Sequence, residues 1–115
     1  MVRIKRIYEE AGKQDGYRVL VDRLWPRGMK KQQAKIDLWM KDIAPSDALR
    51  KSFHHDPMKW PDFEKKYQAE LKKKKEWIAQ LKKLEKENGT LTLLFGARDP
   101  EHNQAVILAE ALKED

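Results

Sequence analysis

Two apolar runs constrain this chain more than any other feature of it. Tyr17-Arg18-Val19-Leu20-Val21 and Thr90-Leu91-Thr92-Leu93-Leu94-Phe95 are short and almost free of polar interruption. A strand with one wet face alternates apolar and polar side chains. A strand without that alternation is covered on both faces, as in a parallel sheet. Helix-patterned segments separate the two runs, so they are expected to pair in parallel through a crossover. Open α/β sheets bind ligands beyond the carboxyl ends of their strands. That rule selects two segments, Asp22 to Gly28 and Gly96 to Asn103.

The rest of the chain fits around this pair. Val2, Ile4 and Ile7-Tyr8, set among Arg3, Lys5 and Arg6, read as a first strand with period-two alternation. Glu9 to Gly16 is a polar turn. Ile36 to Ile43 reads as a third strand, with a short helix as the alternative. Ser46 suits the N-cap of a helix through Leu49 and Phe53, which Pro57 stops. Pro61 begins a long helix that runs to about Asn88, with Asn88-Gly89 as its stop. Asp99-Pro100 is expected to open a last helix whose apolar face is Ala105, Leu108, Ala109 and Leu112. No repeat, linker or domain boundary interrupts residues 1–115. The expected fold is α/β, a small single domain with a mostly parallel sheet flanked by helices.

On the long helix, steps of about 100° per residue bring Phe63, Tyr67, Leu71, Trp77, Ile78, Leu81 and Leu84 into one core-facing stripe. Glu70 and Lys74 fall inside that stripe. Their i, i+4 spacing with the acid first suits a helical ion pair. The other reading of Glu70 is a carboxylate directed under the ligand-binding edge of the sheet.

Charge and composition limit the partners. The 115 residues hold 25 Lys and Arg against 19 Asp and Glu, a net charge of +6, and no cysteine. Disulfides, thiolate zinc sites and thiol nucleophiles are therefore excluded. No apolar run approaches the roughly 18 residues of a membrane helix. The first residues lack the apolar stretch of a signal peptide. A cytoplasmic location is expected, with no membrane partner. The sharpest basic cluster is Arg23, Arg27, Lys30, Lys31 and Lys35, with no acidic residue between Arg23 and Ile36. It reads either as a solvated loop or as an attractor of phosphate-rich partners.

Candidate site residues lie where strands end. In Gly96-Ala97-Arg98-Asp99-Pro100-Glu101-His102-Asn103 a buried strand meets a helix start, where free backbone N–H groups favour anions. Arg98 suits bidentate contact with a phosphate or carboxylate. Asp99 suits a cap, in which role it competes with a bound anion. His102 and Asn103 follow in the expected first turn. Similar cradles in phosphatases and rhodaneses use a loop cysteine, and none exists here. Asp22, at the other strand end, suits a carboxylate that orients a base or hydroxyl. Its alternative is an ion pair with Arg23 or Arg98. His54-His55-Asp56 invites a metal reading, but adjacent helical histidines point about 100° apart and rarely share an ion. His55 is a better candidate for a lone base or a cap. No metal and no cofactor is expected.

These motifs together are familiar. Val21-Asp22-Arg23-Leu24-Trp25-Pro26-Arg27-Gly28, Trp39 with Lys41-Asp42-Ile43-Ala44-Pro45-Ser46, and Phe53-His54-His55-Asp56-Pro57 resemble the YeaO-like branch of a domain-of-unknown-function family. The likeness continues through Phe63, Tyr67, Glu70-Leu71, Thr92-Leu93-Leu94, His102-Asn103 and Ala105. It covers about Ile4 to Leu112. The resemblance implies an α/β domain and no settled activity. It also implies that the shared polar positions, Asp22, Arg23, Arg27, Lys41, Asp42, His55, Asp56, Glu70, Asp99, His102 and Asn103, gather in one pocket.

The expected function is therefore binding of an anionic small molecule at the strand carboxyl ends, by an enzyme or by a binding protein, with no nucleophile or metal motif to decide between them. Arg23, Arg27 and Arg98 would hold the anion, with Asp99, Asn103 and Glu70 around it. His102 or His55 would handle protons and Asp22 would orient them. The alternative is a basic nucleic-acid-binding or regulatory module that uses the 23–35 loop and the lysine-rich helix.

Overall fold

The two apolar runs are adjacent parallel strands at the centre of a four-stranded sheet. The structure is a computed structural model, described for residues 1–114. In chain order its elements are β1 (Val2–Arg6), β2 (Tyr17–Leu20), a short α1 (Lys31–Ala34), β3 (Leu38–Trp39), α2 (Asp47–Phe53), α3 (Trp60–Lys72), α4 (Lys75–Asn88), β4 (Leu91–Phe95) and α5 (Gln104–Lys113). The sheet order is β1-β4-β2-β3, and every pairing is parallel. Val19 pairs with Leu93 and Leu20 with Leu94. The strands therefore end level with each other, and the loops after them share one rim.

Every residue of β4 is buried, as its unbroken apolar sequence requires. Leu91, Leu93 and Phe95 face the main core with Val19, Val21, Phe63, Tyr67, Leu81 and Leu108. Leu94 and Leu20 face the opposite side, where Ile7 and Ala34 cover them with help from Trp25, Met29, Ile36 and Trp39. That second side also carries buried ions. Arg18 donates to Asp15 and to the Ala34 carbonyl, and Lys5 lies 3.2 Å from the same carboxylate. Gly16 closes the approach to β2 with φ +63°. A Cβ there would lie 2.3 Å from the Thr90 carbonyl oxygen, so the position requires glycine.

Three expectations change. The long helix from Pro61 to Asn88 is two helices, α3 and α4, broken at Lys73-Lys74. The break leaves Lys74 Nζ donating to the Ala44 carbonyl at 2.9 Å. Second, the last helix begins at Gln104 rather than Pro100. Asn103 is its cap, accepting from the backbone N–H groups of Ala105 and Val106. Asp99 instead closes a separate turn by accepting from the N–H groups of Glu101 and His102. Third, residues 36–43 hold both alternatives, a two-residue strand and then a 3-10 turn at Lys41–Ile43. The Ser46 cap is borne out: its hydroxyl accepts from the Leu49 N–H. His54 and His55 lie just past that helix, both with positive φ. Among the described residues no helix is long and apolar enough to cross a membrane.

Candidate functional site

The exits of β2 and β4 are fastened together by one carboxylate. Asp22 accepts from the Gly96 N–H at 2.9 Å and from the Gln104 side-chain amide. A Cβ on Gly96 would lie 2.8 Å from Asp22 Oδ2, so any larger residue would have to displace the carboxylate. No lysine or arginine pairs with Asp22 among the described residues; the expected alternatives with Arg23 and Arg98 do not form. Burial pushes its pKa up to about 6, against the opposing pull of the two hydrogen bonds.

In front of this fastening lies a concavity of about 300 Å³. Its walls come from the loop after β2, the loop after β4, and α2. Six of the nine candidate residues line it: Asp22, Arg23, Arg27, His55, His102 and Asn103. The other three do not. Arg98 is exposed and makes no ion pair among the described residues. Asp99 stands behind His102. Glu70 lies below, where its two oxygens accept from the backbone N–H of Ser46 at 2.9 Å and its hydroxyl at 2.6 Å. No Glu70–Lys74 ion pair forms among the described residues, because each side chain binds the 44–46 turn instead.

The cationic wall is Arg23, Arg27 and Arg50. Arg23 is anchored by bonds to the Pro45 carbonyl at 2.9 Å and the Ala44 carbonyl at 3.3 Å. Arg27 is exposed and makes no side-chain hydrogen bond among the described residues. Arg50 reaches Asp47 at 3.3 Å, yet its Nε–H is buried with no hydrogen-bond partner among the described residues. Arg50 is absent from the candidates drawn from sequence. A signal for it exists: it lies three residues before the core residue Phe53 on α2, and i, i+3 neighbours share a helix side.

The proton-handling candidates differ from each other. His102 Nδ1 lies 2.7 Å from Asp99 Oδ2, which fixes the ring and leaves Nε2 for another partner. The Glu101 N–H and then the His102 side chain hold the Asp99 carboxyl below the usual carboxylate range. The His102 ring sits edge-on to Trp60, with centroids 5.1 Å apart. His55 is exposed and rests 6.2 Å from the Phe53 ring. Asn103 is fully engaged as a helix cap. Lys41, Asp42 and Asp56, expected from the resemblance in the same pocket, do not line it. No group of three or more His, Asp or Glu side chains among the described residues is placed to hold a metal ion. The arrangement offers guanidinium groups for an anion, a carboxyl at the floor and an oriented imidazole. The Ser46 hydroxyl is held by Glu70.

A family model described as the inactive DUF488-N3 subclade matches residues 1–115. The chain belongs to that family. The uncharacterised protein YeaO of Escherichia coli strain K12 is 42% identical over 112 residues, spanning 97% of this chain and 96% of its own. An uncharacterised protein of Mycobacterium tuberculosis strain H37Rv is 39% identical over 111 residues, 96% of this chain and 92% of its own. A protein of Mycobacterium bovis, also uncharacterised, is similar to the same extent. The YeaO-like resemblance read from the motifs is thereby borne out. No solved structure matches this DUF488-N3 chain.

Proposed function

We propose that this protein binds a small molecule through a phosphate or carboxylate group at the rim formed by β2 and β4. One observation carries this reading. Arginines from two separate segments, Arg23 and Arg27 on a loop and Arg50 on α2, line one cavity, and the buried Arg50 Nε–H has no partner among the described residues. A buried donor left unsatisfied is unfavourable, and a small turn of the Arg50 guanidinium toward the cavity would let an anion oxygen relieve it. One carboxylate, Asp47, lies near Arg23 and Arg50, so the wall keeps net positive charge. The reading is of binding: no cysteine is present and the Ser46 hydroxyl is engaged by Glu70, so neither offers a free nucleophile, and the matching family model is described as inactive.

Isothermal titration with inorganic phosphate and with acetate tests the reading, using the wild type and Arg50→Gln at constant ionic strength. Saturable binding that weakens at least tenfold in Arg50→Gln is expected. Absent binding, or equal binding by the variant, overturns it. A nucleic-acid role would give a different result. Oligonucleotide binding would fall linearly with salt on a log–log plot and would be indifferent to Arg50→Gln.

A further inference from the structure

We infer that the anionic group this cavity takes is carried on a flat apolar ring, so that the ligand is an aryl or heteroaryl phosphate or carboxylate with a single charged group. This rests on the anion-binding reading above and goes one step further, to the body of the ligand.

The inference starts from what stands beside the arginines. A lone exposed leucine on a protein surface carries no information. Here, however, two of the five most exposed large apolar side chains, Leu24 and Tyr8, flank one cavity. Leu24 is 59% exposed and adjoins Arg23 in the chain. Behind them the lining continues through Trp25, Pro26, Phe53 and Phe63. An apolar surface running from solvent into a cavity, beside cations, fits a ligand with one charged end and one apolar end.

The apolar walls are also held in place. The Trp25 indole N–H donates to the Met29 carbonyl at 2.6 Å, and its ring meets Trp39 edge-on at 5.4 Å. The Tyr8 hydroxyl donates to the Arg27 carbonyl at 2.7 Å, and the Arg6 guanidinium lies 4.6 Å from its ring centroid. Walls fixed before binding lose little freedom when a ligand enters. At the back, Phe53 and Phe63 stack with centroids 4.3 Å apart and planes 25° from parallel. An aromatic ring meets such an aromatic lining edge-on or offset with a preference that an alkyl chain lacks. Arginine adds to the preference, since its planar guanidinium can pair with the anion and lie against the ring.

Size and charge narrow the class. A volume of about 300 Å³ is about ten waters' worth of space, which suits one small ring system with its head group. The Asp22 carboxylate on the floor repels a second negative group.

Calorimetry with three phosphates, inorganic, methyl and phenyl, distinguishes the possibilities, and benzoate against acetate repeats the comparison for a carboxylate head. Phenyl phosphate is expected to bind at least tenfold tighter than methyl phosphate, with a negative heat-capacity change. Leu24→Ser should bring that ratio toward one. Met58→Ser, at a still more accessible apolar position outside the cavity, should leave it unchanged. Equal affinity for the methyl and phenyl esters, with Arg50→Gln weakening both, overturns the ring inference and leaves the anion site standing. No binding by any of the compounds overturns both.

Discussion

Asp22 and Asp15 are two buried carboxylates with opposite electrostatic settings, and the difference is measurable. Asp22 has hydrogen-bond donors but no cation, and burial raises its pKa to about 6. In the unfolded chain the value is about 3.9. Between these values the folded state binds more protons than the unfolded state, so stability falls as pH rises from about 4 to about 6. The loss is up to about 3 kcal/mol, at about 1.4 kcal/mol for each tenfold difference in proton affinity between the two states. Asp15 behaves the other way. Burial pushes its carboxyl up, but the Gly12 N–H, Lys5 and Arg18 outweigh that and hold it below its ordinary value. Its contribution is present above the ordinary carboxylate range and is lost as pH falls below it. Denaturant unfolding across pH 2–7 should therefore show an acid limb and a separate decline between about pH 4 and 6. Asp22→Asn removes the titration while keeping the shape of the side chain. The variant should lose the decline, keep the acid limb, and be no less stable than wild type at pH 7. A slope between pH 4 and 6 that survives in Asp22→Asn would assign it to another group.

At the scale of elements, α3 acts as the bracket that holds the arginine wall. Tyr67 and Glu70 on its core-facing stripe, and Lys74 just past its end, all reach the turn at 43–46. The Tyr67 hydroxyl donates to the Ile43 carbonyl at 2.6 Å, Glu70 accepts from Ser46, and Lys74 donates to Ala44. That turn in turn anchors Arg23 and starts α2, which carries Arg50. Glu70→Ala leaves the Ser46 N–H and hydroxyl without their carboxylate, which costs about 2 kcal/mol for hydrogen bonds to a charged group. The expected result is a lower midpoint in urea and weaker phosphate binding than wild type, although Glu70 touches no ligand. Unchanged phosphate affinity in a folded Glu70→Ala would show that the turn does not position the wall. The same bracket explains what the sequence makes legible. Strand burial, the Ser46 cap and the residues at strand ends rest on local signals, on periodicity and on short-range side-chain to backbone bonds. The Lys73-Lys74 break and the part played by Arg50 depend on partners 30 or more residues away or on another loop, as the Lys74 to Ala44 bond illustrates. The helical angle of Glu70 places it on the correct face. A helical wheel nevertheless shows only the neighbour at i+4, and it cannot show a turn packed from elsewhere.

For the whole molecule, the question is whether a net charge of +6 or one built cavity governs the response to anions. A diffuse positive surface is relieved by any salt, and the effect follows ionic strength. A site is relieved by the ions that fit it, and the effect saturates. The topology favours a site, because the order β1-β4-β2-β3 with level parallel registers brings the two central exits to one edge, with α2 beside them. Thermal unfolding separates the two cases. Sodium chloride and sodium phosphate, compared at matched ionic strength, should give diverging curves, with phosphate raising Tm further and then levelling off. At ten times the dissociation constant the linkage amounts to about 1.4 kcal/mol, which is about 5 °C for a domain of this size. Phosphate is also excluded from protein surfaces and stabilises folded states generally. That part persists in Arg50→Gln, so the difference between wild type and variant isolates the site. Coincident chloride and phosphate curves in the wild type, or the same divergence in both proteins, would mean that the charge acts as a diffuse field and the cavity holds no anion.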